Sequence, residues 1–217
     1  TDRIESFIQS RAGKKILGAL GVSTPVELQR YSPQQSSFFS GRLLLGAASD
    51  AQLLNAAADI IQASDADVLA DASALEQCAA LNKTADEGRY NALVFDGSGL
   101  KNGLELVQAY RFFHDNIRQL ASGGRVILLG RPHLQSANAE QAAAQRALEG
   151  LARSLAKELG SRGSTAQLIT VADGAENNLG AALRFFLSPK SAYISGQVVK
   201  ISAADQSGEV DWHKPLA

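Results

Sequence analysis

The sequence predicts an α/β domain: a doubly wound, mostly parallel sheet flanked by helices, with an N-terminal helical arm. Two observations carry that prediction. Short all-apolar runs such as Leu43-Leu44-Leu45, Leu93-Val94-Phe95 and Val126-Ile127-Leu128-Leu129 recur without polar alternation. Strands buried on both faces read this way. Between the runs lie amphipathic stretches of helical period, and strands that alternate with helices pair in parallel through crossovers.

The elements follow in order. Ile4, Phe7, Ile8, Ile16, Leu17 and Leu20 form a helical stripe, with Gly21 placed to end it. Residues 23–41 are rich in Pro, Ser and Gln and read as a connector, whose Leu28, Tyr31, Phe38 and Phe39 call for burial. Strands are then expected at 42–46, 67–70, 91–96, 125–129, 166–171 and 197–201, and helices at 50–61, 74–81, 102–120, 139–159 and 176–187. This divides the chain into an arm over 1–41, an α/β body over 42–205 and a linker over 206–217. The polar ending Glu209-Val210-Asp211-Trp212-His213-Lys214-Pro215-Leu216-Ala217 suggests that the linker leads to a further domain.

Composition narrows the function classes. The 217 residues carry 21 Lys+Arg against 22 Asp+Glu, a formal net charge of -1, which disfavours nucleic acid and anionic membranes as partners. One cysteine, Cys78, excludes an internal disulfide, and no apolar run is long enough to span a membrane. A cytoplasmic setting is expected.

Chemistry in a doubly wound sheet gathers outside the carboxyl ends of the strands, first at the loop after strand one. Phosphate binding there needs glycines, so that backbone N–H groups can approach the ligand. The loop here is Gly46-Ala47-Ala48-Ser49-Asp50-Ala51-Gln52-Leu53, with one glycine. Asp50 would set a negative charge beside a diphosphate, and it reads best as the N-cap of the next helix. His114, His133 and His213 lack metal-ligand spacing, although His133 follows a strand at the ligand-binding edge. Asp65, Asp67 and Asp71 lack the turn glycine and terminal Glu of a calcium loop, and read as capping of a strand entrance. Gly97-Ser98-Gly99 is not the Gly-x-Ser-x-Gly frame of a nucleophile elbow. Cys78 reads as a small buried hydrophobe. Gly150, inside a helix, points to a close approach by either the sheet or another subunit.

Certain segments resemble the short-chain dehydrogenase/reductases. Ala147-Leu148-Glu149-Gly150-Leu151-Ala152-Arg153-Ser154-Leu155-Ala156-Lys157-Glu158-Leu159 is similar to the helix that follows that family's Tyr-x-x-x-Lys motif. Phe186-Leu187 with Ala192-Tyr193-Ile194-Ser195-Gly196-Gln197-Val198-Val199 resembles its C-terminal segment. Gly124-Arg125-Val126-Ile127 resembles the strand leading to its catalytic Ser, and Val171-Ala172-Asp173-Gly174 its Val-Ala-Pro-Gly.

The resemblance also marks what is missing. It places Gln141 and Gln145 at the Tyr and Lys positions, and Gly130 or Arg131 near the Ser. Gly46, Ser49, Asp50 and Gln52 fall in a degenerate cofactor loop, and Phe95-Asp96-Gly97-Ser98 in the Asn-Asn-Ala-Gly region. One βα unit is absent before Asn91, which shifts the expected order from Rossmann-like towards flavodoxin-like.

Within the family, the chain resembles the degenerate N-terminal domain of high-molecular-weight 3-oxoacyl-[acyl-carrier-protein] reductases. That resemblance rests on Phe7-Ile8-Gln9-Ser10, Leu20-Gly21-Val22 and Leu28-Gln29-Arg30-Tyr31-Ser32-Pro33 in the arm, and on Trp212-His213-Lys214-Pro215 in the tail. It implies no catalytic residue, metal or cofactor in this chain. NADH or NADPH would serve a C-terminal reductase domain of the same chain, acting on a 3-oxoacyl group carried by acyl carrier protein or coenzyme A. It further implies a homo-oligomer, a dimer or larger, built through helices 102–120 and 139–159. The alternatives are a free-standing short-chain reductase with atypical chemistry and a flavin- or nucleotide-binding module.

Overall fold

The computed structural model describes residues 7–8, 10–19, 26, 28–81 and 88–203. Six strands form one parallel sheet: β1 (Ser40–Ala47), β2 (Asp65–Ala70), β3 (Tyr90–Asp96), β4 (Leu120–Gly130), β5 (Thr165–Val171) and β6 (Val198–Ile201). Their order is β2-β1-β3-β4-β5-β6, with every neighbouring pair parallel. All six expected strands are present, and the strand order is the flavodoxin-like one, with one strand added beyond β5.

The helices are α1 (Arg11–Ala19), α2 (Leu54–Gln62), α3 (Ala72–Gln77), α4 (Leu106–Asn116), α5 (Ala139–Leu159) and α6 (Leu179–Leu187). Two cores result, one on each side of the sheet. Leu43, Leu45, Val94, Ile127 and Leu129 pack with α2 and α6, while Leu44, Leu93, Phe95, Val126 and Leu128 pack with α4 and α5. Alternate residues of one apolar run thus serve opposite cores, which is why these strands show no polar alternation.

Several boundaries differ from the sequence reading, each for a local reason. The helix expected over 50–61 starts at Leu54, because Asp50 adopts a left-handed conformation (φ 56°) that no helix can include. The helix expected over 74–81 runs Ala72–Gln77. Its N-cap is Asp71, whose carboxylate accepts from Ala74 N at 2.8 Å. Asp71 therefore caps a helix and not a strand entrance, while Asp67 pairs with Arg42 at 3.3 Å.

The helix expected over 102–120 contracts to Leu106–Asn116, followed by a 3-10 turn at Ile117–Gln119 and then β4. Asn102 closes a turn ahead of it, accepting from Leu104 N and Glu105 N. The helix at Ala139–Leu159 matches the expected range. Phe38 and Phe39 are buried as expected, and Cys78 is buried just past α3. Gly21, His213 and the 206–217 segment lie outside the described residues.

Candidate functional site

Three loops meet at the carboxyl edge: residues 48–53 after β1, 97–101 after β3 and 131–136 after β4. In a doubly wound sheet this is the ligand-binding edge. Each loop carries backbone N–H groups that could donate to a bound phosphate, and in the loop after β1 four of them already have side-chain acceptors.

Ser49 N donates to Gln108 Oε1 at 2.8 Å, and Ala51 N to Gln77 Oε1 at 2.9 Å. Gln52 N donates to Ser98 Oγ at 2.7 Å, and Leu53 N to Asp96 Oδ2 at 2.8 Å. The acceptors come from α4, α3, the β3 loop and the end of β3. The loop is also pressed flat. A Cβ on Gly99 would collide with the Ser49 carbonyl, and one on Gly46 with the Phe112 ring. Gly46 and Gly99 therefore serve internal packing.

Asp50 is not the N-cap that the sequence suggested. The α2 N-cap position is Leu53, which makes no side-chain cap, and the Asp96 carboxylate satisfies the Leu53 N–H instead. Asp50 pairs with Lys101 at 2.5 Å, and that ammonium holds its carboxyl below the usual carboxylate range. Asp96 is fully buried and also accepts from Ser98 N at 2.9 Å. Burial pushes its pKa up, against the pull of the Ser98 and Leu53 donors and of the Arg131 charge. Ser98 is fully buried too, which rules it out as an exposed nucleophile, in line with the missing elbow frame.

The two glutamines at the resembled Tyr and Lys positions have structural partners. Asn138 caps α5 by accepting from Gln141 N at 2.9 Å, and Gln141 Oε1 accepts from Ala137 N at 3.0 Å. Gln141 thus reaches back one residue past the N-cap, to the residue that leads into the helix. Gln145 is 2% exposed. Its Nε2 donates to Gly97 O at 2.9 Å and Leu100 O at 3.0 Å, while its Oε1 accepts from Arg131 N at 2.8 Å. One amide thus ties the β3 and β4 loops together.

Arg131, near the resembled Ser position, bolts the β4 loop to its neighbours. It donates to Gln52 Oε1 at 2.9 Å and Val171 O at 3.0 Å, and pairs with Glu176 at 2.8 Å and Asp173 at 3.4 Å. Glu176 titrates below the usual range, through its backbone hydrogen bonds and Arg131. His133 is half-buried and lines a cleft of about 410 Å³ between the β4 loop, α5 and β5–β6, with Arg146, Thr170 and Lys200. His114 is exposed and pairs with Asp115.

Sequence reasoning found this edge but missed its acceptors. Gln108 lies 59 residues from Ser49, and nothing in a helical stripe reveals which loop a polar side chain will meet. Asp96 had a visible signal, a carboxylate closing an apolar strand. Among the described residues no group of three or more His, Cys, Asp or Glu could hold a metal ion, and no helix is long and apolar enough to cross a membrane.

This architecture defines a Rossmann-like α/β class, and solved structures place its likeness more closely. A short-chain dehydrogenase/reductase from Serratia marcescens is 18% identical, covering 75% of this chain and 96% of its own, with a TM-score of 0.57. A short-chain dehydrogenase/reductase described as a glucose/ribitol dehydrogenase, from Brucella melitensis, is 14% identical, covering 77% and 98%, with a TM-score of 0.62. The fold is thus that of short-chain dehydrogenase/reductases. No protein-family model and no curated protein matches the chain.

Proposed function

We propose that this chain is a non-catalytic structural and association domain, the N-terminal partner of a short-chain reductase domain that reduces a 3-oxoacyl thioester with NADH or NADPH. One observation carries the reading: the loop N–H groups that would bind a cofactor diphosphate donate to Gln108, Gln77, Ser98 and Asp96. A dinucleotide would have to displace four internal acceptors, one of them a buried carboxylate. The residues present do not fit that group. Gln145 and Arg131 are engaged in ties between loops near the resembled Lys and Ser positions, and neither amide at 141 or 145 can act as a proton donor near neutral pH.

In this reading α4 and α5 supply the surface for self-association. Leu104, in the turn ahead of α4, is 88% exposed, Tyr110 on α4 is 61% exposed, and Val107 in the first turn of α4 is exposed as well. Gly150 is exposed with open space where a side chain would stand, so the sheet is not what approaches it. A second copy fills that role in the proposed assembly. On the inner face of α4, Phe112 belongs to the core, packed on Phe95 with ring centroids 5.2 Å apart.

Titration calorimetry with NADH, NADPH and FMN tests the cofactor half: no binding is expected, and a micromolar dissociation constant for any of them would overturn it. Sedimentation tests the association half. Tyr110→Glu should yield a smaller species than the parent with an unchanged fold, and a parent that sediments as a monomer at high micromolar concentration defeats it.

A further inference from the structure

We propose that the amino-terminal edge of the sheet, opposite the edge described above, binds the oxyanion group of a small polar metabolite, with the Arg125 guanidinium as its anchor. Arg125 stands at the start of the apolar run of β4, in register with Ala92 on β3 and Thr165 on β5. It is 3% exposed. One Nη donates to Gly123 O at 3.0 Å, and Nε has no acceptor. Among the described residues no carboxylate pairs with it, whereas Arg42, Arg131, Arg146 and Arg153 all have one.

An ion buried without a counter-charge is a costly arrangement, and a fold retains it where something else completes the pair. Burial alone lowers the Arg125 pKa, with no charge opposing it. The neighbouring Thr165 hydroxyl is likewise buried without a partner. Two of the three such buried side-chain atoms among the described residues therefore occupy adjacent register positions at this edge.

Arg125 opens onto a cavity of about 430 Å³ whose rim carries Gln29, Ser40, Asn91 and Ser122. That volume falls in the usual range for small-molecule sites. Two glycines with positive φ, Gly41 and Gly123, shape the mouth. A side chain at Gly41 would collide with Asn91, and none at Gly123 narrows the entrance. A planar guanidinium presents paired N–H donors that match a carboxylate or a phosphate. The hydroxyl and amide rim suits a polar carrier of that group. Whether the oxyanion is a phosphate or a carboxylate is what the two arms of the test separate.

The test is thermal unfolding of the 217-residue chain in inorganic phosphate and, separately, in succinate, each against sodium chloride at equal ionic strength. A millimolar site should raise Tm by about 4 °C near 20 mM ligand in at least one arm, and the rise should saturate. Arg125→Met should abolish the response. Should that variant not fold, Arg125→Lys, which keeps the charge and loses the fork, should need at least tenfold more ligand for the same rise. Phosphorus NMR provides an independent readout, with line broadening of phosphate by the parent and not by the variant where phosphate is the active arm. A parent whose Tm responds to neither anion beyond chloride overturns the proposal, as does a response that survives in Arg125→Met.

Discussion

The two edges of the sheet handle buried polar groups in opposite ways. At the carboxyl edge the loop donors end on side chains of this chain, and Arg131 meets Glu176, Asp173, Gln52 and two backbone carbonyls. At the amino edge Arg125 is buried with an Nε that no acceptor meets. Both edges descend from the same strands, so the sheet itself does not decide which end is closed. What decides is whether distant side chains supply acceptors. At the edge where ligands conventionally bind, the donors of the loop after β1 are met internally beside the cleft that His133 lines, and the buried cation without a described carboxylate partner stands at the other end.

That contrast can be broken by substitution. The largest effect is expected for Gln145→Leu, which strands Arg131 N and the carbonyls of Gly97 and Leu100 together. Unmet buried groups cost about 1–3 kcal/mol each, so urea unfolding should show a loss of about 3 kcal/mol. A loss under about 1 kcal/mol would show that water replaces the amide freely and that the edge is not closed.

Next comes Asp96→Asn, which turns an amide N–H₂ towards one of the two donors and should cost about 2 kcal/mol. Its pH dependence sharpens the test. Because burial raises the folded pKa of Asp96 above its unfolded value, the native state holds that proton more tightly. The parent should therefore gain stability relative to the variant as pH falls from the folded pKa towards the unfolded one. A parent advantage that shrinks on acidification would contradict the burial assigned to this carboxylate.

Arg131→Ala ranks third, with an expected loss of about 1–2 kcal/mol, since part of its pairing is to exposed Asp173. Differential scanning calorimetry at low and high salt should show a modest salt-sensitive fraction of that loss. The smallest effect has the opposite sign. In buffer free of oxyanions, Arg125→Met should leave stability unchanged or raise it by up to about 1 kcal/mol, because an unpaired buried charge is exchanged for an apolar stem. A loss above about 2 kcal/mol would erase the difference between the edges.

Much of this was legible in the residues. Short apolar runs alternating with helical stretches announced the strands, the missing βα unit announced the β2-β1-β3 order, and a single glycine at 46 announced an altered loop after β1. The resemblance set Gln141 and Gln145 at the family's Tyr and Lys positions, and the sequence did not reveal the helix-entry contact of the one or the loop tie of the other. Asp50 misled because an Asp ahead of a helical run is usually its cap. Here the Lys101 side chain and a left-handed turn claim it.

Helical periodicity shows which residues are apolar and not that Phe112, among them, is one the sheet has room to bury. The sequence by itself determined the alternation of strand and helix, since a run of apolar residues either fits between two cores or does not, and that is a local property. Only the tertiary structure decided which donors find acceptors. Ser49 and Gln108, Leu53 and Asp96, and Arg131 and Gln145 are far apart along the chain, and a hydrogen bond depends on position in space to within a few tenths of an ångström.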